Sequence, residues 1–154
     1  MFNSVQGLTN QSVLPSSYLF AGGLGYQKIL KAVTFSNTVG AVNLFTVTGD
    51  VIARVVGVVK TNVVSGAGCN GSVGIAGATA NIIPLTDITL LAAQEIWFDN
   101  APDSEIENLT ALQERIISDG NDIVLTLSAQ ADSGAVTFYC LWSPLSDGAT
   151  VVPA

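Results

Sequence analysis

Residues 135–143, Ala-Val-Thr-Phe-Tyr-Cys-Leu-Trp-Ser, carry the plainest pattern in this chain. Val136, Phe138, Cys140 and Trp142 alternate with Thr137, Tyr139, Leu141 and Ser143. That period of two sends successive side chains to opposite faces of a sheet. Just upstream, Ile123, Leu125 and Leu127 alternate with Val124, Thr126 and Ser128 in the same way. Asp119-Gly120 precedes this run, and Asp-Gly is a dipeptide that accepts positive φ at both centres of a tight turn. Glu114–Ser118 and Asn121–Ser128 are therefore expected to form a hairpin.

Further out the texture stays β. Leu30–Phe35 and Val42–Thr48 are β-branched or aromatic runs separated by Ser36-Asn37-Thr38 and Gly40, which read as a break between two strands. The longest run is Val51–Val64, with Val51, Ala53, Val55 and Val59 on one face and Ile52, Val56 and Val58 on the other. Arg54 and Lys60 share the second face, so that face must be partly wet or paired. Gly57 marks an expected bulge or bend. Ser72–Ala76, Ile82–Leu85 and Glu95–Phe98 read as short strands, Thr86–Gln94 as a helical turn or loop, and 104–112 as a turn or short helix. Strands at close, regular spacing with little helix between them predict an all-β fold, an antiparallel β-sandwich or jelly-roll-like barrel over residues 29–145. Residues 1–28 form an expected extended N-terminal arm and residues 146–154 a C-terminal tail.

Composition narrows the function. The chain has 154 residues, 49% of them hydrophobic and only 11% charged, with a formal net charge of −7 and no histidine. The lack of histidine removes Ser-His-Asp, Cys-His and His-ligated zinc chemistry. The acidic balance argues against a surface that tracks nucleic-acid phosphates. No apolar run approaches a membrane span, and polar residues interrupt the N-terminal stretch too often for an export signal. With a mean hydropathy of +0.51, part of the surface is expected to be covered by copies of the chain or by a partner. Candidates for such contacts are Phe2, Leu8, Val13, Leu14, Tyr18, Leu19 and Phe20 in an arm whose first 27 residues carry no charged side chain. Trp97 joins them, because it and Phe98 are adjacent in a strand and point opposite ways.

Chemical motifs are few. Gly66-Ala-Gly-Cys-Asn-Gly71 matches G-x-G-x-x-G, but a dinucleotide site needs a helix directly after it, and Ser72-Val-Gly-Ile-Ala-Gly opposes one. No cofactor is expected. Asp99, Asp103, Glu105 and Glu107 cluster around Pro102 and carry the donor type that Ca²⁺ takes, without the EF-hand spacing. A solvated acidic loop is the plainer reading. Trp97, Phe98, Tyr139 and Trp142 could stack a sugar, but their positions inside strands favour core packing. Cys140 has no histidine to activate it and reads as a small buried hydrophobe, and both cysteines are expected reduced.

The runs Leu44–Val51, Glu95-Ile96-Trp97, Pro102–Glu107, Gly120–Ile123 and Phe138–Leu145 resemble small structural proteins of tailed bacteriophages, of the head decoration or cement type. The resemblance covers roughly residues 30–150 and none of its motifs is catalytic. It implies a β-sandwich or jelly-roll protein, commonly a homotrimer, that clamps joints of the major capsid protein on the exterior of a virion assembled in the host cytoplasm. A tail or fibre receptor-binding module and a small jelly-roll capsid subunit are the alternatives.

Overall fold

The structure, a computed structural model, describes residues 26–104 and 106–154. Its strands are β1 (Gln27–Thr48), β2 (Val51–Val64), β3 (Asn70–Ile75), β4 (Ala78–Asp87), β5 (Glu95–Trp97), β6 (Asp103–Ser104), β7 (Arg115–Ile117), β8 (Ile123–Pro144) and β9 (Thr150–Pro153). Short 3₁₀ turns at Ile88–Leu90 and Leu109–Ala111 complete the order. Both begin at a side-chain cap: Asp87 accepts from the Thr89 amide and Asn108 from that of Thr110, each at 3.0 Å.

β1 and β8 form the spine. Each is 22 residues long, and they pair antiparallel from Gln27↔Trp142 to Phe45↔Ile123. On the other side of β8, β2 pairs with its C-terminal part and β3 with its N-terminal part. β4 continues outward from β3, β5 and β7 flank different parts of β2, and β9 pairs with the end of β1.

The all-β expectation holds, but the sandwich or jelly-roll-like barrel does not. The nine strands belong to one antiparallel sheet whose path runs β4-β3-β8-β2-β5-β6 and does not rejoin itself. The reason lies in the two segments read from sequence as breaks. Asn37 and Gly40 take φ of 52° and 78°, and the β1–β8 register shifts between Thr38 and Gly40. These are bulges inside a strand, which absorb extra residues without reversing the chain. Ser36 lies opposite Ser133 and Thr38 opposite Ala131, so both strands are interrupted at the same level. Two long strands result where four short ones were expected.

Other expectations change for local reasons. Asp119-Gly120 is a turn, with Gly120 at φ 76°, but it closes no hairpin. β7 pairs with β2 at Val51↔Ile117, while β8 pairs with β1. The Asp119 carboxylate accepts from the Gly49 amide at 2.7 Å, and the Asp119 amide donates to Asp50 Oδ1 at 3.1 Å. The turn is thus tied to the β1–β2 turn instead of folding its own flanks together. Gly57 makes no bulge, since register is continuous through Gly57↔Phe138. A Cβ there would stand 3.1 Å from Val136 Cγ1 and 3.3 Å from Phe138 Cε1, so the glycine makes room for packing. The stretch read as a tail contains β9, whose backbone is extended by Ala154 N donating to Leu44 O.

One hydrophobic cluster fills the inner side. Val33 and Phe35 of β1, Val51, Ala53, Val55 and Val59 of β2, and Val136, Phe138, Cys140 and Trp142 of β8 meet Ile83, Ile88, Leu91, Trp97 and Leu125. The alternation read along 135–143 is the core-facing set. Where the open edges approach, side chains bridge them: Arg115 Nε of β7 donates to Asn81 O of β4 at 2.6 Å.

Candidate functional site

The other side of the spine is the most unusual surface. Register places Leu30, Tyr139 and Val56 in one row across β1, β8 and β2, Ala32, Thr137 and Val58 in the next, and Lys28, Leu141 and Arg54 in the row before. Directly opposed residues share a face. Ile52 and Ile116 extend the face onto β7, and Ile96 extends it from Val58 onto β5. Leu30 is 47% exposed and Ile116 71% exposed. Val56, Val58, Tyr139, Leu141, Ile52 and Ile96 are half-buried, in contrast to their fully buried neighbours in sequence. Beside Ile96 a hollow of about 420 Å³ is lined by Val58, Val59, Lys60 and Gln94.

Charge on this face is sparse: Lys28 and Lys60 are exposed at its margins, and Arg54 is engaged. Arg54 Nε donates to Glu114 Oε1 at 3.0 Å, and Nη2 also lies 3.0 Å from that oxygen. The guanidinium carbon sits 5.0 Å from the centroid of the Tyr26 ring. Such a half-exposed ion pair contributes about 0.2–1 kcal/mol and the ring contact about 0.5–1 kcal/mol. Their larger consequence is that the cation is held between Glu114 and the Tyr26 ring. The strand pattern read along Val51–Val64 had assigned Ile52, Val56 and Val58 to a second face, partly wet or paired because Arg54 and Lys60 share it; the structure pairs Arg54 with Glu114 and leaves Lys60 exposed. Leu30, Leu141 and Ile116 were not singled out, and Tyr139 had been read with the core aromatics, though the second alternating set of 135–143 carried the signal for Tyr139 and Leu141.

The sequence-derived candidates fall elsewhere. Phe2, Leu8, Val13, Leu14, Tyr18, Leu19 and Phe20 lie outside the described residues, as does Glu105. Trp97 is wholly buried, and Phe98 is 1% exposed, which corrects the expectation that one of this pair faces an interface. β5 ends at Trp97, so Phe98 is free of the strict alternation and also turns inward. Trp97 Nε1 donates to Thr86 Oγ1 at 2.9 Å, and its ring lies 5.8 Å from that of Phe138. Trp142 is 5% exposed, so the indoles offer no sugar platform.

The acidic loop does not assemble a cation site from its described members. Asp99 Oδ1 accepts from the Ala101 amide at 2.8 Å and Glu107 Oε2 from that of Asn108 at 3.0 Å. Asp103 stands in β6, paired through Ile96 to β5. Among the described residues no three His, Cys, Asp or Glu side chains are grouped to hold a metal. The glycine-rich stretch at 66–71 leads into β3, a strand and not a helix. Cys69 and Cys140 are free and buried, and burial pushes the Cys140 thiol up to about 12, well away from the range of a reactive thiolate.

No protein-family model and no curated protein matches the sequence. Among solved structures, a chain in the acidic stable capsid structure of Helicobacter pylori bacteriophage KHP30 is similar to this one. The match covers 82% of this chain and 98% of that one, at 14% identity and a TM-score of 0.49. At that level the likeness assigns no role to any residue.

Proposed function

We propose that this chain is a structural protein of a bacteriophage virion, a cement or decoration subunit that docks on the capsid exterior and acts without catalysis. The observation that carries the reading is the apolar outer face of β1, β8 and β2. Soluble monomers seldom leave a contiguous apolar surface of this kind uncovered. The residue runs that resemble decoration proteins supply the second support: Leu44–Val51 spans the end of β1 and its turn into β2, and Phe138–Leu145 the end of β8. The face meets the major capsid protein, three copies associate around a symmetry axis, and apolar residues of the 1–28 arm reach neighbouring copies. Repetition around a shell turns weak single contacts into a firm cage. A net charge of −7 keeps the chain away from packaged nucleic acid and suits an outside position.

The test is copy number in purified particles, read against the major coat protein on a quantified gel. Hundreds of copies in a simple ratio to the coat are the expected result. A handful of copies would move the protein to the tail, and absence from the particle would overturn the reading.

A further inference from the structure

We infer that the free edge of β1, over residues 27–36, is an interface between two copies of this chain. The copies pair antiparallel about a two-fold axis at Ala32 and make one continuous sheet. Under the capsid reading this contact joins neighbouring trimers, but it is a property of the protein alone.

The first support is the edge itself. β1 pairs with β8 from Gln27 to Phe45, and among the described residues its other side is paired only at residues 45–48, with β9. An open row of backbone N–H and C=O groups is a template for another strand, and native edges are blunted by shortness, proline or bulges. The other edges here follow that rule. β6 has two residues, β9 has four with Pro153, and β4 carries Pro84 and register shifts at Gly71/Val73 and Val73/Ile75. Residues 27–36 hold no glycine or proline, keep unbroken register with β8 and reach no positive φ before Asn37. Of the two lysines that could guard this edge, Lys31 lies opposite core-facing Phe138 and is therefore on the inner side. There its Nζ donates to Ala154 O, which ties the charge to its own subunit.

The second support is the partner's length. β8, the other strand of 22 residues, is paired on both sides, so the free strand that matches this edge is β1 of a second copy. Charge then selects the register. Directly opposed side chains share a face, so a two-fold perpendicular to the sheet passes through a residue, and the middle of the stretch offers Lys31 or Ala32. At Lys31 two ammonium groups would oppose each other, which is destabilising. At Ala32 no like charges meet: Lys31 faces Val33, Lys28 faces Ser36, Leu30 faces Thr34 and Ile29 faces Phe35. Roughly nine opposed pairs form, with about one backbone hydrogen bond per pair. A typical stable interface has about ten direct hydrogen bonds. This axis also keeps both outer faces on the same side, so the row Val58-Thr137-Ala32 runs on into its copy.

Single cysteines in the full chain test this, because the native cysteines are buried and do not compete. Leu30, Ala32 and Thr34 are exposed, so none of the changes disturbs the core. Residue 32 opposes its own copy, whereas residue 30 stands about four positions, roughly 13 Å, from its own copy. Under mild oxidation Ala32→Cys should form linked dimers several-fold faster than Leu30→Cys or Thr34→Cys alone. The latter two should link at the faster rate when mixed. Equal rates for all three single variants would overturn the inference. Ala32→Lys sets like charges on the axis and should weaken self-association several-fold in sedimentation, with the melting temperature of diluted protein unchanged. Association as strong as that of the original chain would also overturn it. Hydrogen exchange separates the remaining occupant. Alternate amides between residues 29 and 35 bond β8 and exchange slowly in any case. If the outward set is equally slow in protein diluted to monomer, the same chain holds its own edge and the inference falls. Absence of the protein from virions would leave each of these readings untouched, so this inference and the capsid reading fail separately.

Discussion

A single hydroxyl does much to fix the inside of this molecule. Thr86, buried in β4, accepts from the indole of Trp97 at 2.9 Å and lies 3.0 Å from the Asp99 carbonyl, so it joins β4 to the end of β5 where no ladder does. Thr86→Val keeps the shape and leaves a buried N–H without an acceptor. The expected cost is about 1–3 kcal/mol, measured by denaturant unfolding, with Thr86→Ser retaining most of the stability. The strict alternation rule sent one of Trp97 and Phe98 outward and made Trp97 a contact candidate, yet both are buried. Nothing in the local sequence shows that β5 stops after three residues. Cys140 was legible in full. With its thiol pushed up to about 12 by burial, it should resist alkylation at pH 8 in the native state and react once denatured, as read by mass spectrometry. Fast labelling of Cys140 in the folded protein would contradict its place in the core.

At the scale of elements, composition and period identified strands well and their continuity badly. Polar and glycine residues at 36–40 and 128–134 look the same whether the chain turns or bulges. Only the partner strand decides, and here each long strand keeps the other in line. Gly134 shows how tight that arrangement is. It has φ 122°, and a Cβ on it would lie 2.7 Å from both Asn62 O and Val63 Cα. Gly134→Ala should therefore destabilise by about 1–3 kcal/mol from overpacking alone, with the unfavourable φ adding to it. Gly68→Ala is the control, because its φ is also positive, at 69°, but nothing crowds it. Close by, Asp132 Oδ2 accepts from the Gly66 amide at 2.7 Å and Oδ1 from Gln130 at 2.7 Å. The bond to Gly66 first, and then that to Gln130, hold its carboxyl below the usual range. A depressed folded value contributes stability above the unfolded value and loses it as pH falls through the folded one. The β2–β3 turn should therefore loosen in acid, seen as faster exchange of the Gly66 amide below the ordinary carboxylate range. Asp132→Asn should abolish that pH dependence. A full carboxylate shift without change at Gly66 would separate the two.

For the whole molecule, the question is which side of the sheet the subunit covers for itself. The sequence showed that Val51–Val64 is apolar on both faces, and it could not show which face β5, β7 and the 3₁₀ turns would leave open. Those elements are short, and their places are set by tertiary contacts such as Gln94 N to Val59 O at 2.9 Å. With the outer face identified, charge becomes the sharpest probe of its role. Leu30 is 47% exposed, so Leu30→Asp should leave the melting temperature of the isolated subunit nearly unchanged. On a docked subunit the same carboxylate would sit in an apolar contact and forgo the burial of a leucine, worth about 1.5–3 kcal/mol. That is roughly tenfold or more in affinity per copy, and the deficit compounds wherever neighbouring copies bind together. Mixed with bare capsids, the variant should compete poorly against the original chain, while Val152→Asp on β9, also 47% exposed, should compete equally. Lower salt should worsen the defect if the capsid surface is acidic and ease it if basic, since only the introduced charge differs. Equal uptake of both variants would place docking on another surface and leave the apolar rows of β1, β8 and β2 to contacts between copies.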